Sequence, residues 1–213
     1  MTPNLFDAGM ESQIDQAVSI LKRGGVVVFP TDTVYAVGAL ASNTQAVRRV
    51  FDIKGRANTK GLPALIGDIS QINQVAKVFP PLASKLAKEY WPGGLSLVLP
   101  KTDNIPLELT GGNETVAIRI PNQPAVIEML KRVGEPVTGT SANLSGCKSS
   151  LNAAEAEKQL GDRVDFILDG GQVSGGVEST IIAVNPDGLK IIRQGAIKES
   201  DILETAAKNG FSA

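Results

Sequence analysis

Short apolar runs alternate with amphipathic stretches along nearly the whole chain, and this alternation constrains the fold more than any other feature. The runs "VVVFP", "LSLVLP" and "TVAIRIP" have the length of buried strands, and each ends at a proline. Between the first two, "TQAVRRVFDIKGR" and "PPLASKLAKEYW" carry apolar residues at helical spacing. Strands that alternate with helices predict an α/β fold, in which helices cover a sheet.

The end of the chain predicts the kind of sheet. The last two strand-like runs, "ESTIIAVN" and "LKIIRQG", are separated only by "PDG", which favours an antiparallel hairpin. An antiparallel pair beside helix-linked strands indicates a mixed sheet and not a purely parallel one. Because the chain shows neither an internal repeat nor a linker-like tract, we predict a single domain over residues 1–213.

Two residue types are absent or rare, and this excludes several kinds of active site. The chain contains no histidine and one cysteine, Cys147. A Ser-His-Asp or Cys-His nucleophile system therefore cannot be built, an internal disulfide is impossible, and a zinc site would lack ligands. We expect no metal site formed by the protein alone, and any metal ion should be a hard cation that arrives with a phosphate ligand.

The charge balance and the ends of the chain limit partners and location. Twenty-one basic residues are balanced by 22 acidic ones, and aromatic residues make up 4% of the chain. A general nucleic-acid-binding surface would need stronger positive charge, and base stacking would need more aromatic rings. The N-terminal "MTPNLFDAGMESQ" does not resemble a signal peptide, and no run approaches the roughly 18 apolar residues of a membrane helix. We therefore expect a cytoplasmic protein without a membrane partner.

Positive charge is concentrated in "KGRANTKGLPALI", where Lys54, Arg56 and Lys60 lie within seven positions before an apolar run. Lys54 and Arg56 are two residues apart, so they should extend from a helix end or a loop. The helix dipole would stabilise a cation there by roughly 0.3–1 kcal/mol, which explains Lys54 but explains Lys60 poorly. The alternative hypothesis is a polyphosphate site, since arginine can bind two oxygens and lysine supplies a point charge. On that hypothesis the three cations repel one another until a polyphosphate binds.

A further charge, Arg119, lies inside the otherwise apolar run "TVAIRIP". A buried guanidinium without a partner costs several kcal/mol, so Arg119 requires an anion. The sequence leaves two kinds of partner open: an internal aspartate or glutamate, or the carboxylate of a ligand.

Polar residues also cluster at the ends of other strands. "PTDTVYAVG" follows a buried run, and an ordinary turn is its simplest explanation. "GTSANLSG" combines small residues with Ser141 and Asn143, which favours either an anion-binding loop or a helix cap. "GGVESTII" is similar, and Arg193 follows on the partner strand of the hairpin. None of these clusters matches a standard nucleotide fingerprint such as G-x-x-x-x-G-K-[ST] or G-x-G-x-x-G.

Taken in order, the motifs resemble those of the YrdC-like threonylcarbamoyl-AMP synthases, and in particular their short bacterial form. "PTDTVYAVG", "KGRANTKGLP", "WPGGLSLVLP", "TVAIRIP", "TSANLSG", "VESTII" and "IIRQGAI" follow in the family's order over about residues 11–200. The resemblance implies a twisted, open α/β sheet with flanking helices, whose concave face forms a deep basic cavity.

The resemblance also implies a reaction. The enzymes of this family are nucleotidyltransferases that combine L-threonine, bicarbonate and ATP, with Mg²⁺ accompanying the ATP, into threonylcarbamoyl-AMP and pyrophosphate. Downstream transferase proteins pass the threonylcarbamoyl group to the adenosine beside the anticodon of certain tRNAs, and tRNA itself is a further candidate partner. Two other functions stay open: a non-catalytic RNA-binding maturation factor, and a related enzyme that forms another carbamoyl adenylate.

Matching the motifs residue by residue implies a set of site residues. The family's catalytic signature corresponds to Lys54, Arg56, Ser141 and Asn143. The positions around ATP correspond to Arg56, Lys60, Thr115, Ser141, Ser149 and Arg193. The positions around threonine correspond to Thr33, Leu65, Arg119, Gly139 and Ser179. Many relatives differ from this chain at two of these positions, with asparagine in place of Lys60 and a histidine near Leu65.

Overall fold

The computed structural model describes residues 6–185 and 188–211. In these ranges seven α-helices and ten strands alternate, which confirms the α/β prediction. The helices are α1 (Ala8–Lys22), α2 (Thr44–Lys54), α3 (Pro81–Tyr90), α4 (Leu107–Thr110), α5 (Pro124–Val133), α6 (Ala153–Leu160) and α7 (Glu199–Lys208). The strands are β1 (Val27–Phe29), β2 (Ala36–Gly38), β3 (Ala64–Leu65), β4 (Leu95–Pro100), β5 (Thr115–Arg119), β6 (Val137–Thr138), β7 (Thr140–Ser141), β8 (Phe166–Ile167), β9 (Thr180–Asn185) and β10 (Gly188–Arg193). None of the described helices has both the length and the apolar character that crossing a membrane requires.

The strands form two mixed sheets, where the sequence predicted one. A four-stranded sheet has the order β7-β2-β1-β8, and a six-stranded sheet has the order β10-β9-β4-β5-β3-β6. Each sheet combines parallel and antiparallel neighbours: β1 is parallel to β8 and β4 to β9, whereas β4 and β5 are antiparallel. The predicted hairpin is confirmed as the antiparallel pair β9–β10, although Pro186 and Asp187 of its turn lie outside the described residues.

One stretch of chain belongs to both sheets. β6 pairs with β3 at the edge of the six-stranded sheet, β7 pairs with β2 at the edge of the four-stranded sheet, and Gly139 alone separates β6 from β7. Where the sheets meet, a Cβ at Gly38 would collide with the Thr138 carbonyl oxygen, so only glycine fits there. The Thr138 N–H donates to the Ala39 carbonyl over 2.7 Å. Main-chain contacts therefore fix one sheet against the other.

Two apolar clusters cover the sheets. The larger packs α2 and α3 against β4 and β5, and the smaller packs α1 and α5 against β1. Leu21, Phe29 and Met129 form the centre of the smaller cluster and are fully buried. A large apolar side chain contributes roughly 1.5–3 kcal/mol when it is fully buried, so these clusters hold the helices in place. Arg132 of α5 adds an ion pair to Glu11 of α1 at 2.5 Å.

Helix α2 positions the predicted cation cluster. Asn43 caps its N-terminus by accepting a hydrogen bond from the Ala46 N–H over 3.0 Å. Its C-terminus is fixed at Lys54 because Gly55 adopts a left-handed conformation, with φ of 58°. Lys54 is thus the last helical residue and Arg56 lies in the following loop, which confirms the prediction that the two extend from a helix end or a loop.

Several short elements are not predicted by the alternation. Strand β2 lies within "PTDTVYAVG", where turn-forming residues obscure a strand of three residues. A 3-10 helix covers Ile69–Gln74 and begins with a capping box between Asp68 and Gln71, and α4 is a single turn. Elements of this length contain too few residues to show a hydrophobic periodicity.

Candidate active site

A cavity of about 330 Å³, the first cavity, has one face of the six-stranded sheet as its floor. Alternate residues of a strand share a face, and Thr115, Ala117 and Arg119 of β5 all line this cavity. Ser96 of β4 and Ile181 of β9 extend the same surface. The turn after β1 and strand β7, both from the four-stranded sheet, form the facing wall.

Arg119 lies at the end of β5, is 6% exposed, and is held on three sides. Its Nη2 donates to Asp32 Oδ1 at 2.6 Å, and its Nη1 donates to Thr33 Oγ1 at 3.0 Å. Its Nε donates to the Gly93 carbonyl at 2.8 Å. Burial lowers the pKa of Arg119, and the negative charge of Asp32 opposes that shift. An arginine has five N–H donors; three are bonded within the described part of the chain, so two remain for a ligand.

The sequence left open whether Arg119 pairs with an internal carboxylate or with a ligand. The structure shows an internal aspartate, Asp32, and leaves two N–H donors of Arg119 for a ligand. The turn that carries this aspartate is also an ordinary turn, as predicted: Thr31 Oγ1 donates to the Val34 carbonyl at 2.6 Å. The same hydroxyl lies 2.9 Å from Thr33 Oγ1, which accepts from Arg119. Thr33 is thus both a residue of this structural turn and one of the predicted site residues.

A second cavity, of about 390 Å³, adjoins the first and shares Arg56, Ser141 and Glu178 with it. It lies between the loop after α2 and the loop after β7. The predicted catalytic and ATP-binding residues from those two loops, Lys54, Arg56, Lys60, Ser141, Asn143 and Ser149, all line it.

Lys54 is 2% exposed and does not stand free in the second cavity. Its Nζ donates to the Ser141 carbonyl, to the Asn143 carbonyl at 2.8 Å and to Asn143 Oδ1 at 3.1 Å. Burial, together with the nearby charge of Arg56, lowers the pKa of Lys54 to about 8, and the charge of Glu178 partly opposes that shift. The N–H groups of Lys54 thus already donate to Ser141 at the end of β7 and to Asn143 in the loop after it. None of these acceptors is an anion, and the charge of Arg56 opposes that of Lys54, as the sequence predicted.

Arg56 and Lys60 are the members of the cluster whose charge faces the second cavity. Arg56 donates from Nε to the Lys60 carbonyl and from Nη2 to the Gly61 carbonyl, both at 3.2 Å, so its guanidinium spans its own loop. Burial lowers the pKa of Arg56, and the charge of Glu178 opposes that shift. Lys60 is exposed, and its ammonium has no hydrogen bond or ion pair to another described residue.

The loop after β7 is closed by its own side chains. Asn143 Nδ2 donates to the Cys147 carbonyl at 2.6 Å, and the Ser145 N–H donates to the Lys54 carbonyl at 2.9 Å. Ser149 Oγ lies 3.3 Å from Glu178 Oε1. A compact loop of small polar residues presents main-chain and hydroxyl donors, the arrangement that suits an anion.

Three further predicted residues complete the first cavity. Leu65 of β3 pairs with Arg119 in the strand register and is 4% exposed. A Cβ at Gly139 would lie 2.5 Å from Leu65 Cδ1, so the leucine packs directly over the glycine. Ser179 Oγ lies 3.0 Å from Ser96 Oγ. Leu65 and Gly139 therefore make this side of the cavity apolar.

Glu178 is the site residue that the sequence interpretation missed. It lines both cavities, and its Oε2 forms an ion pair with Nη1 of Arg193. Arg193 also donates from Nη2 to the Ser179 carbonyl at 2.7 Å. The available signal was an acidic residue inside the motif "GGVESTII", directly before a predicted ligand position.

The donor set limits how a metal ion could bind. The described residues contain no group of three or more histidine, cysteine, aspartate or glutamate side chains that could hold one. Mg²⁺ usually keeps several waters and binds through one or two carboxylates together with substrate phosphates. Glu178 supplies one carboxylate beside the cations, so the residues fit an ion that enters with a nucleotide.

Similarity to known proteins assigns the family. The Sua5/YciO/YrdC family model, described as telomere recombination, matches residues 19–195. The chain belongs to the Sua5/YciO/YrdC family. In this member of the family, every site residue predicted from the sequence lines one or both of the two adjoining cavities. The role of each of these residues stays a prediction.

Several Sua5/YciO/YrdC relatives carry a name that states an activity. The threonylcarbamoyl-AMP synthase of Bacillus subtilis is 40% identical over 193 residues, which cover 90% of this chain and 56% of the relative. The putative threonylcarbamoyl-AMP synthase of Mycobacterium tuberculosis is 36% identical over 199 residues, covering 93% of this chain and 91% of the relative. This chain thus spans little more than half of the B. subtilis relative and nearly all of the M. tuberculosis one.

Solved structures of the family have the same fold. Pyrococcus abyssi Sua5, determined in complex with L-threonine, superposes with a TM-score of 0.89 at 35% identity, covering 95% of this chain and 62% of that one. Escherichia coli YciO superposes with a TM-score of 0.82 at 28% identity, covering 91% of this chain and 94% of that one. These similarities agree with the fold class that the motif order implied.

Proposed function

We propose that this chain is a threonylcarbamoyl-AMP synthase, a nucleotidyltransferase that joins L-threonine, bicarbonate and ATP and releases pyrophosphate. The observation that carries the proposal is the meeting of two cavities at Arg56 and Ser141. One cavity contains a guanidinium with two unused donors, and the other is lined by cations and small polar residues. The names of the relatives and the threonine in the P. abyssi complex support the choice of substrates.

The first cavity would bind threonine. The two remaining N–H donors of Arg119 would take its carboxylate, because a guanidinium binds a carboxylate through paired hydrogen bonds. Thr33 and Ser179 would orient the ligand with their hydroxyls, and Leu65 with Gly139 would form an apolar surface for its methyl group. Asp32 and Thr33 fix the guanidinium before the substrate arrives, so little ordering remains to be done on binding.

The second cavity would bind the triphosphate. Arg56 and Lys60 of this cavity would neutralise phosphate charge together with Arg193, which lines the adjoining first cavity, and Ser149 would donate a hydroxyl hydrogen bond. Thr115, at the opposite end of β5 from Arg119, would lie toward the nucleoside. Lys54 would act through the loop that it holds, positioning Ser141 and Asn143.

The chemistry needs no protein nucleophile, which suits a chain without histidine. The unprotonated threonine amine adds to carbon dioxide from bicarbonate, and the product loses a proton to give a carbamate. A carbamate oxygen then attacks the α-phosphorus of ATP; the new O–P bond forms as the bond to the pyrophosphate oxygen breaks, and pyrophosphate leaves with that electron pair. Positioning and charge neutralisation dominate such a transfer.

Mg²⁺ would enter with ATP and, once bound, neutralise charge on the phosphate oxygens. Its ligands would come mainly from phosphate oxygens and water, because the carboxylate that lines the cavity, Glu178, is paired with Arg193. The product is an acyl phosphate anhydride that reacts readily with nucleophiles. Downstream transferase proteins would therefore receive it and pass the threonylcarbamoyl group to tRNA.

The direct test is to incubate the pure protein with ATP, Mg²⁺, bicarbonate and labelled threonine. We expect labelled threonylcarbamoyl-AMP by mass spectrometry and threonine-dependent release of pyrophosphate. Turnover of carbamoyl phosphate in place of threonine and bicarbonate would indicate the related carbamoyl-adenylate reaction. RNA binding that is steep in salt, without ATP turnover, would indicate a non-catalytic maturation factor.

Arg119→Lys tests the threonine site. Lysine keeps the charge but loses the fork that binds a carboxylate through two hydrogen bonds. Losing one charge-assisted hydrogen bond costs about 1.5–3 kcal/mol, so we expect the threonine KM to rise roughly ten- to hundredfold while the ATP KM stays nearly constant. A far-UV circular dichroism spectrum like the wild type would show that the fold is kept. An unchanged threonine KM would contradict the assignment.

A further inference from the structure

A carboxylate lies at the junction of two cavities whose other charged lining residues are all cations. Glu178 lines both cavities together with Arg56, and its side chain forms an ion pair with Arg193. The proposed substrates, a triphosphate and an amino acid carboxylate, are themselves anions. A negative side chain at this point opposes their binding, so its position calls for a physical explanation.

The groups that contact Glu178 are the groups proposed to contact phosphate. Arg193 Nη1 pairs with Oε2 of Glu178, and Ser149 Oγ lies 3.3 Å from Oε1. The charge of Glu178 also acts on Arg56, whose pKa it raises against the effect of burial. In the free protein the carboxylate therefore occupies donors that a phosphate oxygen would use.

The ion pair is weak enough to be exchanged. The side chains of Arg193 and Glu178 are 41% and 39% exposed. Ion pairs with this exposure contribute little stability, because water and salt screen them. A polyphosphate presents several negative oxygens to the same arginine, and bidentate binding to arginine is favoured over a single exposed contact.

The exchange requires movement of a side chain only. The Ala196 N–H donates to the Glu178 carbonyl over 2.9 Å. A Cβ at Gly195 would collide with the same carbonyl oxygen, so the two backbone segments are in direct contact. Because the main chain of Glu178 is fixed, rotation of its side chain is the available way to release Arg193.

We propose that Glu178 is an internal anion, which neutralises the phosphate-binding groups in the free protein and is displaced when a polyphosphate binds. This inference rests on the proposed function, since it takes the second cavity to bind the triphosphate. Glu178 then has two effects. It keeps neighbouring cations paired before binding, and it weakens retention of the pyrophosphate product by competing for the same donors.

Glu178→Gln tests the proposal because it removes the charge and keeps the shape. We expect inorganic tripolyphosphate and ATP, measured by isothermal titration calorimetry without Mg²⁺, to bind roughly three- to tenfold tighter to the variant. Pyrophosphate should inhibit the variant at correspondingly lower concentration. Glu178→Asp keeps the charge and should bind tripolyphosphate within about twofold of the wild type.

Glu108→Gln is the matched control. Glu108 pairs with Arg48 at 2.7 Å, is also part-exposed and lines neither cavity. Removing its charge should leave tripolyphosphate binding unchanged. Equal tightening in both variants would show a general effect of net charge and would overturn the proposal.

Other outcomes separate this proposal from the proposed function. Unchanged or weaker tripolyphosphate binding by folded Glu178→Gln overturns the internal-anion role, and weakening that appears only with Mg²⁺ assigns Glu178 to the metal ion instead. If the wild type binds tripolyphosphate but makes no threonylcarbamoyl-AMP, the proposed function fails. The ratio of tripolyphosphate affinities of Glu178→Gln and the wild type still decides the role of Glu178. If the wild type binds neither ATP nor tripolyphosphate, both fail.

Discussion

At the residue scale, the cations of one motif differ in their acceptors and not in their charge. Lys54 donates to one oxygen at the end of β7 and two in the loop after it, Arg56 spans its own loop, and Lys60 is exposed. The sequence does not distinguish these three cations, because it shows their spacing but not which carbonyl groups the fold places near each of them. The structure separates one residue that holds a loop from two that face the second cavity.

The lowered pKa of Lys54 predicts that anion binding depends on pH. Burial places this pKa at about 8, so the ammonium is charged below that pH and loses its proton above it. A bound anion favours the charged form and raises the pKa, so affinity is full below about pH 8 and falls as pH rises beyond it, by at most tenfold per pH unit. We expect tripolyphosphate affinity to fall by about tenfold between roughly pH 7 and pH 9.5, measured by calorimetry.

Two variants assign that profile to Lys54. Lys54→Arg stays charged throughout this range and should flatten the profile. Lys60→Arg, in the same motif but exposed, should retain the decline. If the wild-type profile is already flat, or if Lys60→Arg flattens it, Lys54 is not the group that titrates.

At the element scale, the join between β6 and β7 connects the packing of both sheets to the first cavity. Gly139 lies in this join, and a Cβ there would lie 2.5 Å from Leu65 Cδ1 and 3.0 Å from its Cγ. Gly139→Ala should therefore displace Leu65 and lower the free energy of unfolding by about 1–3 kcal/mol, as overpacking usually does. Because Leu65 lines the first cavity, the threonine KM should also rise. Urea denaturation and steady-state kinetics measure the two effects.

A double-mutant cycle isolates this contact. Leu65→Ala alone removes a buried side chain and should cost about 2–5 kcal/mol. If the clash is the cause, the double variant with Gly139→Ala should be more stable than the sum of the single effects, by about 1 kcal/mol or more. Strict additivity would show that Gly139 acts through something other than Leu65.

At the scale of the whole molecule, local pattern predicted the elements but not their partners. The longer strands β4, β5, β9 and β10 were recognisable because runs of apolar and β-branched residues show where a strand is buried. The division into two sheets was not, since the pairs β1–β8 and β3–β6 join strands far apart in sequence. For the same reason the sequence did not identify Asp32 as the partner of Arg119, and it did not identify Glu178 as a site residue. Strand register and turn geometry decide both contacts, and neither can be read from local pattern.

The main-chain junction between the sheets predicts that they unfold together, which also tests the single-domain prediction. Trp91 reports on the six-stranded sheet, because its Nε1 donates to the Leu95 carbonyl at the start of β4 over 2.8 Å. Its fluorescence and the far-UV circular dichroism of the whole chain should give one urea midpoint. Two separated transitions would mean that each sheet is an independent unit.

A substitution at Gly38, the glycine at the junction, tests whether the junction couples the stability of the two sheets. Gly38→Ala pushes a methyl group into the Thr138 carbonyl, which cannot move without shifting β6 and its partner β3. We expect the variant to lose at least about 2 kcal/mol, with the fluorescence and circular dichroism midpoints falling together. Gly9→Ala in α1 is the control, since its Cβ meets only the Asp7 side chain at 3.4 Å and should leave both midpoints unchanged or slightly higher. A Gly38→Ala variant that lowers the circular dichroism midpoint but spares the fluorescence of Trp91 would mean that the junction transmits no stability between the sheets.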